Sequence, residues 1–506
     1  MKPPLWLAVL GAALSGPINA AAFPGREWWP LILLGTGLMI WSLAGRRIGE
    51  SFLLGLVGGF TFWGTHIFWL TIYLGPVPWL ALAGLQTIFF ALGAILIGLA
   101  WTWVPRWWPG TGGRLGLLPV VLGALWSLRE SVTSVWPYGG FSWGRLAFSQ
   151  SESPFASVVA WFGISGLSFL LAWLSALLVQ AVRESGIRIG VRGVVASAAF
   201  FAVLALPTWP IVASGTIRVA AVQGDSDAGL FALRTPGQTL NDHIAGTVPL
   251  FGDDVDVVVW PENGSDLNPL AHPAAARALD FITDGMRAPL VAGTITSDAD
   301  GHTYNSLLLW ENGKGAVDQY DKIHPVPFAE YLPDRAFWYP FAPALFDLVP
   351  RDYTIGTRDN IFEFGGVRAG LAICFDIVDD SLVARMVDDG AQLILAPTNN
   401  ADFGRTDENV QQLAIARLRA IETNRSVVQV STVGVSAIMA PDGSTISRLP
   451  IFEPGSMVED VPLSRVTTLA TVLGPSVDVA VGGFGLTALA IAMVFAPRER
   501  RTGRRG

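Results

Sequence analysis

The 506-residue sequence has few cysteines and few charged residues, which disulfides, metal clusters and water-exposed surfaces require. It contains a single cysteine, Cys374, which excludes an intramolecular disulfide and a cysteine-rich metal site. Charged residues make up only 15% of the chain, and residues 1–213 contain no aspartate. With a mean hydropathy of +0.46, the chain is too apolar for an ordinary soluble protein.

Long apolar runs occupy the part of the chain that lacks charge. Seventeen of the 20 tryptophans precede residue 214, many near the ends of these runs, as in the aromatic belts at a bilayer surface. We expect eight membrane-spanning helices, of which the fifth is short and the eighth contains Asp478. The predicted spans are residues 4–22, 28–45, 51–73, 78–104, 115–130, 157–181, 190–213 and 467–496.

The basic residues between these runs predict an orientation. If there are eight spans, all of the basic clusters fall on one face, which the positive-inside rule assigns to the cytoplasm. These clusters are Lys2, Arg46–Arg47, Arg106/Arg114, Arg183/Arg188/Arg192 and the tail arginines at 498–505. Both termini are then cytoplasmic, and the segment between spans seven and eight is extracytoplasmic. The first run also fits a cleavable signal peptide, whose removal would not move that segment.

The extracytoplasmic segment is acidic, with 17 Lys+Arg against 35 Asp+Glu over residues 214–496. Its short β-rich runs alternate with amphipathic stretches, which indicates one α/β domain. The predicted strands are 217–223, 255–260, 289–294, 306–310, 367–373, 391–396, 426–431 and 435–439, and the predicted helices lie near 236–250, 270–286, 379–389 and 406–424. We therefore divide the chain into a bundle of about seven spans (1–213), an extracytoplasmic domain (214–465) and a last helix with a basic cytoplasmic tail (466–506).

Reactive side chains follow three of the apolar segments. Cys374 ends the run 367–373, Glu262 follows the run that ends at Trp260, and Lys322 and Glu330 share a proline-rich loop. A carboxylate, an ammonium and a thiol can supply a base, an oxyanion stabiliser and a nucleophile. Each also has a plain structural interpretation: a turn cap, a surface charge, an ion pair with Arg335, or a small buried hydrophobe.

The segment just after the cysteine bears on its reactivity. Asp379, Asp380 and Ser381 are typical of the first turn of a helix. The positive end of that helix would face the sulfur and favour the thiolate. The sequence thus predicts a reactive cysteine, and spacing alone does not bring it together with the carboxylates and the lysine.

With these segments, the sequence resembles the nitrilase superfamily, and with the spans around them it resembles the bacterial apolipoprotein N-acyltransferase family. The matching motifs are residues 140–150, 222–224, 260–262, 304–306, 322–331, 374–376, 398–404 and 416–425. The resemblance implies an αββα sandwich carrying a Glu262–Lys322–Cys374 triad. Glu262 would be the general base, and Lys322 with the Phe375 backbone N–H would stabilise the oxyanion. Glu330 would be a further supporting acid.

Four residues, in three segments, depart from the family pattern. Phe375-Asp376 stands where Tyr-Glu is usual, Asp402 where tryptophan is usual, and Gln412 where histidine is common. Phe375 and Asp376 are still expected to support the site. These departures concern substrate recognition, because the triad positions are intact.

The resemblance also implies a reaction. A phospholipid would acylate Cys374, and the α-amine of a diacylglyceryl-cysteine on an apolipoprotein would take the acyl chain. Aromatic residues Phe337, Trp338 and Tyr339 would contact substrate at the membrane interface, or else form a local packing core. We expect a monomer in the bacterial cytoplasmic membrane, in contact with membrane lipids, with no metal, cofactor or nucleic acid.

Two other functions fit parts of the sequence. A membrane-tethered amidase of the nitrilase type would use the same triad to hydrolyse a small extracytoplasmic amide. A non-catalytic binding or scaffold protein would keep the fold without using the triad. The number of spans and the segment 139–150 disfavour the amidase, and the intact triad disfavours the scaffold.

Overall fold

The computed structural model describes residues 2–226, 229, 235–349 and 352–497, so the predicted basic tail lies outside the described residues. Helices occupy all eight predicted apolar runs. The first seven runs contain α1 (Leu5–Ala20), α2 (Leu31–Ser42), α3 (Ile48–His66), α4 (Thr71–Leu74), α5 (Pro76–Trp107), α6 (Leu118–Val135), α7 (Val159–Arg183) and α8 (Ile189–Leu204). Their apolar composition confirms a membrane helical region, since many large apolar side chains of this bundle are exposed on its outside.

The helices differ in whether they are long enough to cross a membrane. Four segments are long and apolar enough: Pro76–Trp107, Gly112–Val135, Ala156–Arg183 and Ser476–Phe495. The pair Ile48–His66 and Phe68–Leu74, bent by 60°, would make a fifth. Helices α1, α2 and α8 are shorter than 18 residues, so the total of eight crossings stays a prediction.

Small residues let the bundle helices approach closely. A Cβ added to Gly55 of α3 would lie 2.5 Å from the Ala91 Cα of α5, and one added to Gly16 of α1 would lie 2.3 Å from the Phe62 backbone nitrogen. Apolar side chains drive helix association weakly in lipid, so such close backbone packing contributes much of the cohesion. The glycines of these runs therefore fix how α1, α3 and α5 pack.

The acidic segment forms two six-stranded sheets. Their strands are β1 (Ala213–Gln223), β2 (Val257–Val259), β3 (Leu290–Ser297), β4 (Thr303–Glu311), β5 (Gly315–Asp321), β6 (Ile361–Phe364), β7 (Val367–Leu371), β8 (Leu393–Thr398), β9 (Ser426–Ser431), β10 (Ala437–Met439), β11 (Thr445–Arg448) and β12 (Gly455–Ser464). The strand orders are β12-β1-β2-β3-β4-β5 and β11-β10-β9-β8-β7-β6. The sequence predicted the two-sided buried strands and missed β5, β6, β11 and β12, whose apolar patterns are short or interrupted by charge and proline.

Alternation along the strands creates the layers. Val219 of β1 and Leu393 of β8 point into the core between the two sheets. Ala220 of β1 faces the outer side of the first sheet, and Ile394 of β8 faces the outer side of the second. Helices cover both outer sides, which confirms the αββα sandwich. The first sheet is covered by α9 (Gln238–Thr247) and α10 (Pro273–Met286). Two four-residue helices, α11 (Arg335–Trp338) and α12 (Pro343–Phe346), lie in the segment between β5 and β6. The second sheet is covered by α13 (Asp380–Asp388) and α14 (Glu408–Thr423).

The sandwich rests on the bundle through its second sheet. Buried residues of α14, such as Leu413 and Leu418, belong to the same hydrophobic cluster as the bundle core. Trp69 and Trp143, from two bundle loops, both donate their indole N–H to Gln411 Oε1, at 3.1 and 2.7 Å. After β12 the chain returns through α15 (Leu469–Leu473) to α16 (Ser476–Phe495), which packs on α6.

Candidate active site

Three strand ends meet at one edge of the sandwich. Glu262 follows β2, Lys322 follows β5 and Cys374 follows β7. Strands β2 and β5 run in the same direction, since β3 is parallel to β2 while β4 is antiparallel to both β3 and β5. The carboxyl ends of strands in α/β sheets are common positions for reactive groups, because loops there converge.

Lys322 lies between two carboxylates. Its Nζ is 3.1 Å from Glu262 Oε1 and 2.9 Å from Glu330 Oε2, and its side chain is 2% exposed. Arg335 pairs with Asp352 instead, at 3.1 Å, so the Glu330–Arg335 pair considered from the sequence does not form. The structure thus places the predicted base, ammonium and supporting acid in one buried cluster.

Asn305 also belongs to this cluster, although no role was predicted for it from the sequence. Its Nδ2 donates to Glu262 Oε1 at 2.6 Å and to Glu330 Oε1 at 3.2 Å. The signal available was its place in the motif 304–306, on a strand that pairs with the one leading to Lys322. With both amide hydrogens used, Asn305 fixes the two carboxylates relative to each other.

Burial and neighbouring charges set the protonation of the cluster. Burial raises the pKa of Glu262 above its usual value, although the Lys322 ammonium opposes the rise. Burial alone would lower the pKa of Lys322, but Glu262 and Glu330 raise it well above its usual value. Lys322 therefore stays a cation, while Glu262 is a stronger base than an exposed carboxylate.

Cys374 opens a 3₁₀ turn, Cys374–Val378, with a left-handed φ of 52°. The sulfur accepts a hydrogen bond from Gln412 Nε2 at 3.5 Å. Burial and the Glu262 carboxylate raise the pKa of the thiol to about 12, against the lowering effect of Lys322. The predicted thiolate preference was therefore wrong, because burial and the Glu262 charge outweigh the lowering effect of Lys322, and the thiol needs a base.

Asp376 organises the turn that carries the cysteine. Its carboxylate accepts from Tyr320 Oη at 2.8 Å, from the His324 backbone N–H at 2.9 Å and from the Ile373 backbone N–H at 3.0 Å. Burial raises the pKa of this aspartate, while Lys322 and the hydrogen bonds oppose the rise. Asp376 thus joins the loop after Lys322 to the loop before Cys374.

The ring of Phe375 is part of a stack that includes bundle residues. It lies nearly parallel to Phe141 and Trp143, with centroids 6.2 and 6.3 Å away. Both partners come from the loop between α6 and α7. The residue next to Cys374 therefore contacts the membrane part of the chain directly.

The predicted aromatic contact residues divide into two kinds. Trp338 packs edge-on against Phe328 and donates its indole N–H to Tyr138 Oη at 3.0 Å. Tyr339 is half-buried and donates to Asp347 at 2.9 Å. Phe337 is 60% exposed. The segment thus combines a packed tryptophan with an apolar side chain left open to its surroundings.

A group of possible metal ligands lies elsewhere. Asp298, Asp300 and His302 are exposed at the turn between β3 and β4. None of the predicted site residues belongs to that group. A carboxylate, an ammonium and a thiol supply a base, an electrophilic cation and a nucleophile, which are the parts required for covalent acyl transfer.

Comparisons with known proteins agree with this arrangement. Residues 15–177 match the family described as "Apolipoprotein N-acyltransferase N-terminal domain", and residues 218–471 match "Carbon-nitrogen hydrolase". A curated apolipoprotein N-acyltransferase of Mycolicibacterium smegmatis is 32% identical, over 98% of this chain and 87% of its own. The chain belongs to the apolipoprotein N-acyltransferase family.

More distant proteins extend the comparison. The apolipoprotein N-acyltransferase of Vibrio vulnificus is 26% identical, over 88% of this chain and 89% of its own. Among solved structures, Saccharomyces cerevisiae Nit3, described as a member of the nitrilase superfamily, is 16% identical, with a TM-score of 0.40 over 57% of this chain and 98% of its own. Family membership confirms the resemblance predicted from the motifs and places the chain among membrane-associated enzymes.

Proposed function

We propose that this chain is an apolipoprotein N-acyltransferase that uses Cys374 as its nucleophile. It moves an acyl chain from a phospholipid to the α-amine of a diacylglyceryl-cysteine at the N-terminus of an apolipoprotein. The observation that carries the proposal is the buried contact of Lys322 with both Glu262 and Glu330, at the edge of the sandwich that also bears Cys374. Membership of the apolipoprotein N-acyltransferase family supports the substrate class, and the geometry of the site supports the chemistry.

The first half-reaction forms a thioester. Glu262 takes the thiol proton as the Cys374 sulfur attacks the ester carbonyl of the phospholipid. Lys322 stabilises the negative charge that develops on the carbonyl oxygen, together with the Phe375 backbone N–H. The carbon–oxygen bond breaks, the proton passes from Glu262 to the leaving alcohol oxygen, and a lysophospholipid is released.

The second half-reaction transfers the acyl chain. The α-amine of the acceptor attacks the thioester carbon, and Glu262 removes a proton from the amine nitrogen. The carbon–sulfur bond breaks and the proton returns to the sulfur, which leaves an amide on the acceptor. A thiol with a raised pKa is regenerated in its neutral form, so the resting enzyme does not carry an exposed thiolate.

The domain division and the orientation belong to the same proposal. Residues 1–213 form the membrane bundle, 214–465 the extracytoplasmic catalytic domain, and 466–506 the last membrane helix and its cytoplasmic tail. Both substrates are lipid-anchored, so a site beside the bundle suits them. The stack of Phe375 on Phe141 and Trp143 supports this placement, and exposed Phe337 is suited to contact the interface.

A trapping experiment tests the proposal. Purified protein is incubated with a phospholipid radiolabelled in its acyl chain, without acceptor. We expect label on the protein that neutral hydroxylamine releases, as it does from a thioester. Addition of a diacylglyceryl-cysteine peptide should then transfer the label to the peptide.

Two variants serve as controls. Cys374→Ala should carry no label, and Lys322→Met should acquire it at least about 10²-fold more slowly, since it lacks the cation that stabilises the oxyanion. An unlabelled wild-type protein that hydrolyses small amides would instead support the amidase alternative. Full transfer by Cys374→Ala would rule out this cysteine as the acyl carrier.

A further inference from the structure

A second polar network contacts the cysteine through residues that do not belong to the Lys322 cluster. Gln412 of α14 places Nε2 3.5 Å from Cys374 Sγ. The Gln412 side chain is 1% exposed, so the contact is not shared with bulk solvent. A sulfur accepts hydrogen bonds weakly as a thiol and more strongly as a thiolate.

The surroundings of Gln412 decide which end of its amide faces the sulfur. Its Oε1 accepts from Thr398 Oγ1 at 3.0 Å and from Asn400 Nδ2 at 2.7 Å. The Thr398 hydroxyl can donate or accept and also hydrogen-bonds Cys374, but an amide nitrogen could not accept from the Asn400 amide, so the Gln412 atom that faces Asn400 must be the oxygen. The N–H group of Gln412 is therefore directed at Cys374.

Asn400 is itself fixed in orientation. Besides Gln412, its Nδ2 donates to Glu408 Oε2 at 2.9 Å, so both amide hydrogens are used. Its Oδ1 accepts from Ser431 Oγ at 2.8 Å. Asn400 and Glu408 are 1% and 2% exposed. Ser431 Oγ accepts from the Gly434 backbone N–H at 3.0 Å and so donates to Asn400, which sets the direction of the hydrogen bonds from Asn400 through Gln412 to the sulfur.

We propose that Gln412 is a further catalytic residue, whose amide N–H stabilises the Cys374 thiolate each time the sulfur loses its proton or its acyl group. Asn400 is the positioning residue that keeps this amide from turning over. The proposal rests on Cys374 being the nucleophile of the proposed function. A neutral amide suits the position, because it donates to the sulfur at every pH without adding a charge beside Lys322.

The proposal is tested by the reactivity of the thiol itself, which requires no lipid substrate. Full-length protein in detergent is treated with iodoacetamide from pH 7 to pH 10, and modification of the only cysteine is followed by mass spectrometry. Gln412→Met keeps the length of the side chain and removes the donor. We expect its rate profile to lie about one pH unit higher than that of the wild type.

At a fixed pH of 8 this shift reduces the alkylation rate about three- to tenfold. The lower figure allows for the greater nucleophilicity of a more basic thiolate. Gln429→Met is the matched control, because Gln429 is also buried but donates to the Val435 carbonyl, at 3.0 Å, rather than to the sulfur. Its profile should coincide with that of the wild type.

A Gln412→Met profile that coincides with the wild type would overturn the proposal. If that variant does not fold, Gln412→Asn gives the same test, because its amide is one methylene short of the sulfur. Slowed alkylation in either variant supports the role of Gln412 even if phospholipid never labels the protein. Conversely, phospholipid could label the wild type while the alkylation profiles of the Gln412 variants are unshifted. That result would support acyl transfer through Cys374 and contradict only the role of Gln412.

Discussion

Glu408 is a buried carboxyl group that accepts a hydrogen bond from the Asn400 amide, at 2.9 Å. Burial raises the pKa of Glu408 to about 8, against the effect of the Asn400 hydrogen bond and with help from Glu262. In the unfolded chain the carboxyl would titrate near 4.5. The folded protein therefore binds a proton that the unfolded chain has lost throughout this interval, so stability falls as the pH rises from about 4.5 to about 8.

Glu408→Gln removes that dependence and keeps an oxygen for Asn400. Within the interval, we expect the free energy of unfolding of the variant to rise relative to that of the wild type by about 1.4 kcal/mol for each pH unit. Near pH 4 the two proteins should be equally stable. The check is the apparent melting temperature in detergent at pH 4, 6 and 8, at one scan rate. Glu363→Gln, at a position where the side chain is 62% exposed, is the control. Equal gains by both variants at pH 8 would contradict the assignment.

The functional roles of residues that lie in recognisable sequence motifs were predictable. The roles of residues that act through buried hydrogen bonds were not. Glu262 and Cys374 each follow a recognisable apolar segment, and Lys322 belongs to a distinctive proline-rich motif. Nothing in the sequence distinguishes Glu408 from a surface acid in the first turn of an amphipathic helix, which is a favourable place for one. Glu408 is buried because α14 packs between the second sheet and the bundle. No local sequence pattern predicts that packing.

Helix α14 hydrogen-bonds to the turn Cys374–Val378. Arg419, fully buried, donates to the Ile377 and Val378 carbonyls at 3.0 and 2.8 Å and pairs with Asp380 at 2.6 Å. Arg145, from the loop between α6 and α7, reaches the other oxygen of Asp380, also at 2.6 Å. These two arginines hold the pKa of Asp380 below its usual value despite its burial. One carboxylate therefore connects the nucleophile's turn with the membrane bundle.

Arg145→Met leaves Asp380 with Arg419 alone. We expect a loss of about 2–3 kcal/mol, less than for a fully buried pair because Asp380 is 31% exposed. Arg218→Met is the matched control, since Arg218 pairs with Asp460 at an exposed position and should cost under about 1 kcal/mol. Chemical unfolding in detergent, followed by proteolysis, measures both. Similar losses in the two variants would show that the Arg145 contact adds nothing beyond a surface pair.

At the scale of elements, the missed strands share a physical cause. β5 and β12 each lie at an edge of their sheet, where at least half of their side chains are partly or fully exposed to solvent. For this reason both strands mix charged and apolar residues. β6 is also an edge strand, and it is only four residues long. Such strands form because a neighbour supplies their hydrogen bonds, so pairing rather than hydrophobic pattern determines them.

At the scale of the whole molecule, the two-part architecture was predictable from composition. The absence of aspartate before residue 214 and the acidic excess after it mark the change from lipid-facing helices to a sandwich. The way the sandwich sits on the bundle was not predictable, because it depends on separate contacts such as Trp143 with Gln411 and Ile164 with Glu422. Side chains of the 416–425 motif thus serve docking as well as the fold.

The proposed orientation can be tested because the chain has only one cysteine. In a Cys374→Ser background, Ser444→Cys and Ser185→Cys place single thiols on the β10–β11 turn and on the α7–α8 loop, both exposed. The positive-inside rule puts the first outside the cytoplasm and the second inside it. In intact spheroplasts a membrane-impermeant maleimide should label Ser444→Cys only, and after lysis it should label both. Labelling of Ser185→Cys before lysis, with Ser444→Cys protected, would invert the topology and leave the active site on the side away from the outer-leaflet acceptor.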